Sequence, residues 1–275
     1  MRNQHLPLIL ALSLLCFLAG LLCLLWWWTN LPAPQVFDLI IVNGKIVDGT
    51  GQPPFEANIG IKDGKIAAIG SLRRYKSPLI IDAQGCIVSP GFIDVHTHLE
   101  ANLPKEGPFR APNFIRQGVT TVITGNCGSS VEDVEQMFQK LRRYGSQVNI
   151  ATLIGHNTVR RKVMRDATRA PTPAELQKME AMVRKAMEDG ALGLSTGLEY
   201  LPGMFAPQWE IVALAKIAGQ YGGLYVTHMR DEGLRGIEAI KEALEIGRQA
   251  KVAVHLSHLK VAAFKLWGTA SQRLA

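Results

Sequence analysis

Gly91-Phe92-Ile93-Asp94-Val95-His96-Thr97-His98 is the stretch on which the fold turns. An apolar run of strand type ends in two histidines placed two residues apart. In an extended chain, residues i and i+2 project to one side, so His96 and His98 can grip a single metal ion from one strand end. An open doubly wound sheet often carries a glycine-rich phosphate loop after its first strand, and none is present here. Histidine in that place points to a barrel with its chemistry at the C-terminal ends of the strands.

Downstream the texture is strand–helix alternation. Apolar runs of buried, parallel type are expected as strands at 92–95, 120–124, 148–154, 191–195, 224–227 and 252–256. Thr172-Pro173-Ala174-Glu175 has the form of a capping box with proline at the first helical position. Leu176, Met179, Val183 and Met187 follow it at helical spacing, as a core-facing stripe. Ile211, Leu214, Ile217 and Tyr221 form a second stripe, and Ile237, Ile240 and Leu244 a third.

The strand ends carry the chemistry. The second strand runs out into Asn126-Cys127-Gly128, the fifth into His228-Met229-Arg230, and the sixth into His255-Leu256-Ser257-His258. A lone histidine is more often a satisfied polar residue than a ligand. Four strand ends that each offer His or Cys make a metal centre, and thiolate with imidazole suits zinc. His255 and His258 compete for one place, and His258 lies at the extreme end of its strand. The candidate ligands are therefore His96, His98, Cys127, His228 and His258. Tyr200, in the loop after the fourth strand, is a candidate to line a substrate pocket. Arg230 is a candidate partner for an anionic substrate group, with a surface ion pair as the alternative. Glu100 reads as a metal-mouth residue or a loop charge, His156 as a hydrogen-bonding support, and Asp231 and Glu232 as solvated or structural charges. A disulfide between Cys86 and Cys127 is not expected, because it would remove the thiolate that a metal needs.

Upstream, short strands with turn signals indicate a small β-sandwich portion over residues 38–90. Asn43-Gly44 and Asp63-Gly64 read as two-residue hairpin turns. Residues 29–37, with Pro32 and Pro34, read as a stiff linker. Residues 6–28 carry no charge and end in Trp26, Trp27 and Trp28. As a helix they would span about 35 Å, against about 30 Å for a bilayer core. An uncleaved transmembrane anchor is favoured over a cleaved signal. Arg2 precedes the stretch and the next basic residue is Lys45, so residues 1–5 are expected in the cytoplasm and the rest on the outer, periplasmic or extracellular face.

Composition bounds the alternatives. Of 275 residues, 47% are hydrophobic and 19% charged, which excludes wholesale disorder. Four cysteines exclude a disulfide scaffold. The net charge of +7 comes from scattered pairs such as Arg73–Arg74, Arg142–Arg143 and Arg160–Arg161, with no stripe, so no nucleic-acid partner is expected.

Gly91–His98 after a small β unit resembles the opening of the amidohydrolase superfamily. Within it, Gly118–Gly128, Gly193–Tyr200, Tyr225–Arg230 and Ser257-His258-Leu259-Lys260 resemble the D-aminoacylase, or N-acyl-D-amino-acid deacylase, family. The resemblance runs from Asp38 to about Lys260. It implies a (β/α)8 TIM-type barrel beside a β-sandwich, and hydrolysis of linear amides such as N-acyl-D-amino acids. It also implies one tight zinc on Cys127, His228 and His258, with a second, weaker position on His96 and His98. Many amidohydrolases bridge metals with a modified lysine on strand four. Here that strand reads Ala191-Leu192-Gly193-Leu194-Ser195, and Cys127 resembles the family's substitute. This counts against a cyclic-amide hydrolase of dihydropyrimidinase type. The family's proton-handling aspartate ends strand eight, whereas residues 91–275 supply about six βα units. The expectation is an incomplete barrel with no catalytic acid–base residue assigned. Hydrolysis by this chain is then expected to be poor, with a membrane-tethered remnant that still binds zinc as the alternative.

Overall fold

The computed structural model describes residues 19–21, 26, 36–72 and 75–273. The anchor expected at 6–28 lies outside them apart from Ala19, Gly20, Leu21 and Trp26, as does linker segment 29–35. Among the described residues no helix is long and apolar enough to cross a membrane. The chain divides into two compact units between Pro90 and Gly91.

The first unit is one mixed sheet. Strands β1 (Leu39–Ile46), β2 (Phe55–Lys62), β3 (Lys65–Gly70), β4 (Ile80–Asp82) and β5 (Ile87–Val88) compose it. Their order is β3-β2-β1-β4, with β5 also on β1. Asp63 and Gly64 turn between β2 and β3 with φ of 51° and 69°, as a two-residue primed turn requires. Asn43-Gly44 does not turn. β1 runs straight through it with a register shift between Ile41 and Gly44, and Asn43 Nδ2 donates to Asp82 Oδ1 at 3.0 Å. A Cβ on Gly44 would sit 2.6 Å from Val88 Cγ2, so the glycine admits the late-arriving β5. Where a sandwich is expected, the described residues of this unit form a single sheet. Phe37, Ile40 and Leu72 make a small core, while Ile80, Ile81 and Ile87 stay exposed. About fifty residues supply apolar cover for one face only.

The second unit is an arc of seven parallel strands in six places, β8 and β9 sharing one. β6 (Phe92–Asp94), β7 (Val119–Thr124) and β8 (Asn149–Thr152) form one sheet. β9 (Ile154–Gly155), β10 (Gly193–Gly197), β11 (Leu224–His228) and β12 (Ala253–Leu256) form the other. The expected strand at 148–154 is split at Leu153, so that β8 pairs with β7 and β9 with β10. Such a stagger is what a closing barrel imposes on its strands. Helices α1 (Pro112–Ile115), α2 (Val134–Tyr144), α3 (His156–Met164), α4 (Pro173–Glu188), α5 (Gln208–Gln220) and α6 (Gly236–Ala250) connect the strands.

The helices form where side chains cap and bury them. Thr172 Oγ1 accepts from Glu175 N, and Glu175 Oε2 accepts from Thr172 N at 2.8 Å, closing the capping box of α4. Met179, Val183 and Met187 then pack with Ile211, Leu214, Ile217, Leu194 and Tyr225 in the main core. The third expected stripe is corrected. Ile237 and Leu244 are exposed, and α6 buries Ala239, Ala243, Ile246, Gly247 and Ala250. Small residues let α6 approach β12 closely, and a Cβ on Gly247 would lie 2.1 Å from Val254 Cγ2.

Candidate metal centre

The arc is curled enough for its first and last strands to meet at the mouth. His96 follows β6 and His258 follows β12, yet their ring centroids are 5.4 Å apart. Backbone contacts set the heights of these ends. Thr97 N and Oγ1 both donate to Ile123 O, at 3.0 and 2.8 Å, holding the His96–His98 segment against β7. The buried Asn126 Nδ2 donates to Ile123 O at 3.0 Å and lies within reach of Val95 O and Thr97 O.

Cys127 stands on a turn built to present its thiol. Its φ is 51°, a left-handed conformation that non-glycine residues adopt rarely and that clusters at functional sites. Ser195 of β10 clamps the turn on both sides, donating from Oγ to Gly125 O at 2.5 Å and accepting from Gly128 N at 3.1 Å. Glu100 braces its base, because Thr124 Oγ1 and Gly125 N both donate to Glu100 Oε1, at 2.6 and 2.5 Å.

The sulfur is the centre of the constellation. Cys127 Sγ lies 3.5 Å from His96 Nε2 and 3.8 Å from His228 Nδ1, and His228 Nδ1 lies 3.1 Å from His258 Nε2. Donor atoms within 4.8 Å of one another occur in Cys127, His228 and His258, and again in His96, His98 and Cys127. One sulfur is thus common to two donor sets. A third group, Glu199, His228 and Glu232, meets the same distance. The chemistry of the donors fits zinc, which takes thiolate and imidazole at tetrahedral sites. His96 Nδ1 is buried without a hydrogen-bond partner among the described residues, as a nitrogen reserved for a cation would be.

Electrostatics point the same way. Burial, with Glu232 adding to it, pushes the Cys127 thiol up to about 11. Left alone the sulfur keeps its proton, and a cation is what would make it a thiolate. Burial and the neighbouring His98 and His258 hold His96 below its ordinary value, and burial does the same to His258. Both imidazoles therefore favour the neutral form in which a ring nitrogen can ligate.

Sequence reasoning missed the carboxylates behind the histidines. Glu232 is buried, touches His258 Nδ1, and accepts from Lys260 Nζ at 2.7 Å. Of the two readings the sequence left for Glu232, solvated or structural, the buried contacts to His258 and Lys260 give the structural one. Glu199 Oε2 lies 2.8 Å from His228 Nε2. Tyr200, the candidate to line a substrate pocket, has its hydroxyl 3.3 Å from His228 Nδ1. Arg230 forms the ion pair that the sequence left as its alternative. Its guanidinium grips Glu242 at 2.8 and 2.9 Å and donates to the carbonyls of Met204 and Ala206, which leaves little for a substrate anion. His156 is a buried support, 2.9 Å from Glu210 Oε1, and Glu210 also pairs with Arg160. Asp231 Oδ1 caps the backbone of Gly233 and Arg235. Cys86 and Cys127 are both free thiols.

Known proteins resemble this chain in sequence and fold. The amidohydrolase family pattern matches residues 79–272. D-aminoacylase of Alcaligenes xylosoxydans xylosoxydans is 37% identical over 250 residues, which is 82% of this chain and 51% of that protein. N-acyl-D-glutamate deacylase of Bordetella bronchiseptica, solved with zinc and a phosphonate mimic of the tetrahedral intermediate, superposes with a TM-score of 0.82. It is 37% identical, and the match covers 87% of this chain and 55% of that one. A D-aminoacylase studied for its binuclear metal centre superposes with a TM-score of 0.81 at 36% identity, over 86% of this chain and 55% of that one. The chain thus spans about half the length of the curated relatives it matches. With its histidine and cysteine donors gathered at the strand ends of a parallel arc, and with that pattern matched across most of its length, the chain belongs to the amidohydrolase family.

Proposed function

We propose that this chain holds zinc on Cys127, His228 and His258, with His96 and His98 beside the same sulfur as a weaker second position. We further propose that it acts in the hydrolysis of linear amides of the N-acyl-D-amino-acid class. The observation that carries this reading is the convergence of three strand ends on one buried sulfur. Zinc there supplies Lewis-acid chemistry, withdrawing electron density from an amide carbonyl and acidifying water. The chain's own residues do the rest. Ser195 and Glu100 hold the Cys127 turn in place, and the Tyr200 phenol faces the mouth, where it can donate to a substrate oxygen. The substrate class rests on the similarity to D-aminoacylase and on a cysteine ligand in place of a strand-four lysine.

Elemental analysis tests the ligands. The wild-type protein is expected to retain about one zinc per chain, and Cys127→Ala to lose it. Equal zinc in both would overturn the assignment. Slow release of a D-amino acid from its N-acetyl derivative by the zinc-loaded protein, lost in Cys127→Ala, then tests the substrate class. We propose, from the uncharged stretch at 6–28 and the placement of Arg2 and Lys45, that the chain is membrane-anchored with its catalytic part outside. A reporter fused after Gln35 should be active only outside the cytoplasm, and cytoplasmic activity would refute that topology.

A further inference from the structure

A neutral imidazole carries one proton, and a metal can use only the nitrogen without it. Which nitrogen is bare is set by the partner of the other. Glu232 is placed to decide this for two rings at once. Its side chain is 1% exposed, its Oε1 touches His258 Nδ1, and its Oε2 lies 3.6 Å from His228 Nε2. A proton held on His258 Nδ1 by that carboxylate leaves Nε2 bare, and Nε2 is the nitrogen 3.1 Å from His228 Nδ1. A proton on His228 Nε2, shared with Glu199, leaves Nδ1 bare, and Nδ1 is the nitrogen facing Cys127 Sγ. The two bare nitrogens then lie 3.1 Å apart, in the donor group that includes the sulfur.

A buried carboxylate is costly unless paired, and Lys260 Nζ at 2.7 Å supplies the pairing from outside the ring pair. The backbone is tied as well, since Ala262 N donates to Glu232 O at 2.9 Å. The segment bearing His258 and Lys260 is thereby latched to the loop after β11. Glu199 differs in kind, because its side chain is half exposed and hydrogen-bonds His228 Nε2 from the solvent side. We infer that Glu232 is a positioning residue of the metal centre, its buried carboxylate lying against His258 Nδ1 and, with Glu199, behind His228 Nε2, so that His258 Nε2 and His228 Nδ1 are the nitrogens left for the metal. The inference rests on the reading of Cys127, His228 and His258 as ligands. Carboxylates behind ligating histidines typically change metal affinity by about 10–100-fold when removed.

The test uses the whole chain with Glu232→Ala and Glu232→Gln, checked for folding by circular dichroism. Zinc affinity is read by competition with a chelator, and the site by the absorption of bound cobalt(II). Glu232→Ala should weaken zinc toward the upper end of about 10–100-fold and Glu232→Gln toward the lower end, because the amide oxygen can still accept a hydrogen bond without the charge. The thiolate-to-cobalt band should persist in both at saturating cobalt. Unchanged affinity in a folded Glu232→Ala protein would overturn the role. If that variant does not fold, unchanged affinity in the isosteric Glu232→Gln would do so. A change of cobalt coordination number would make Glu232 a ligand instead, and would also overturn it. Cys127→Ala run in parallel separates the two readings. If it keeps its zinc, the ligand set itself falls. If it loses zinc while Glu232→Ala does not weaken, only the positioning role falls.

Discussion

The two sheets of the parallel arc hold their donors in different ways. The β9–β12 sheet lies under α3, α4, α5 and α6, and every residue of β10 is buried. His228, which ends β11, is 1% exposed. The β6–β8 sheet rests on a smaller core of Leu99, Phe109, Ala111, Val122 and Val148. Its edge strand leaves Phe92 and Ile93 exposed at 60% each. One sheet therefore buries His228 in its packing, while His258 at its edge is held against Glu232. The other fixes its ligands by hydrogen bonds, through Thr97, Asn126 and Glu100. A donor held by a packed core is preorganised, whereas one held at an exposed edge can shift as its edge breathes.

The sharpest way to break that comparison is to remove one histidine from each sheet. His228→Ala should release most of the bound zinc, and His98→Ala should leave about one equivalent, as metal analysis after dialysis would show. The reverse order would mean that packing does not set the strength of the site.

The next effect lies in the buried charges of the packed sheet. Arg160, Glu210 and His156 are all 0% exposed, with Arg160 Nη1 at 2.5 Å from Glu210 Oε2. Glu210→Ala leaves a buried guanidinium without its partner and should cost about 3–5 kcal/mol in urea unfolding. Burial opposes the Glu210 charge, but His156 and Arg160 outweigh it and hold the carboxyl below its ordinary 4.5. A lowered folded-state value gives stability that is fully present above about 4.5 and fades as the pH falls below it. The urea midpoint should drop more between pH 6 and pH 3 in the wild type than in Glu210→Gln. Parallel midpoints would show that the carboxylate contributes nothing to acid sensitivity.

The smallest contrast is between apolar residues. Leu194→Ala, at a fully buried position of β10, should cost about 2–5 kcal/mol. Ile93→Ala on the exposed edge should stay within about 0.5 kcal/mol. Equal costs would show that the edge of β6 is covered in solution.

Much of the site could be read from the chain because each donor follows an apolar run, and periodicity locates such runs. His258 could be separated from His255 by its place at the strand end. The rest depended on residues distant in sequence. Asp231-Glu232 looks like loop charge until His258 and Lys260 arrive to enclose Glu232. Asn43-Gly44 has the composition of a hairpin turn, but β5, more than forty residues on, makes it a bulge inside β1. Arg230 sits beside a ligand, yet Glu242, one helix later, claims its guanidinium. Ile237 and Leu244 follow helical spacing, but the small residues on the opposite face of α6 permit closer packing, and the larger ones turn outward.

The break at Leu153 has a mechanical consequence. Strand 149–155 is the one strand shared by the two sheets, and Cys127 lies on one side of that seam while His228 and His258 lie on the other. A ligand that grips sulfur and both imidazoles would act as a rivet across it. Amide hydrogens of β7 and β8 should then exchange with solvent as slowly as those of β10, whereas without the rivet the two sheets would open to solvent on separate clocks.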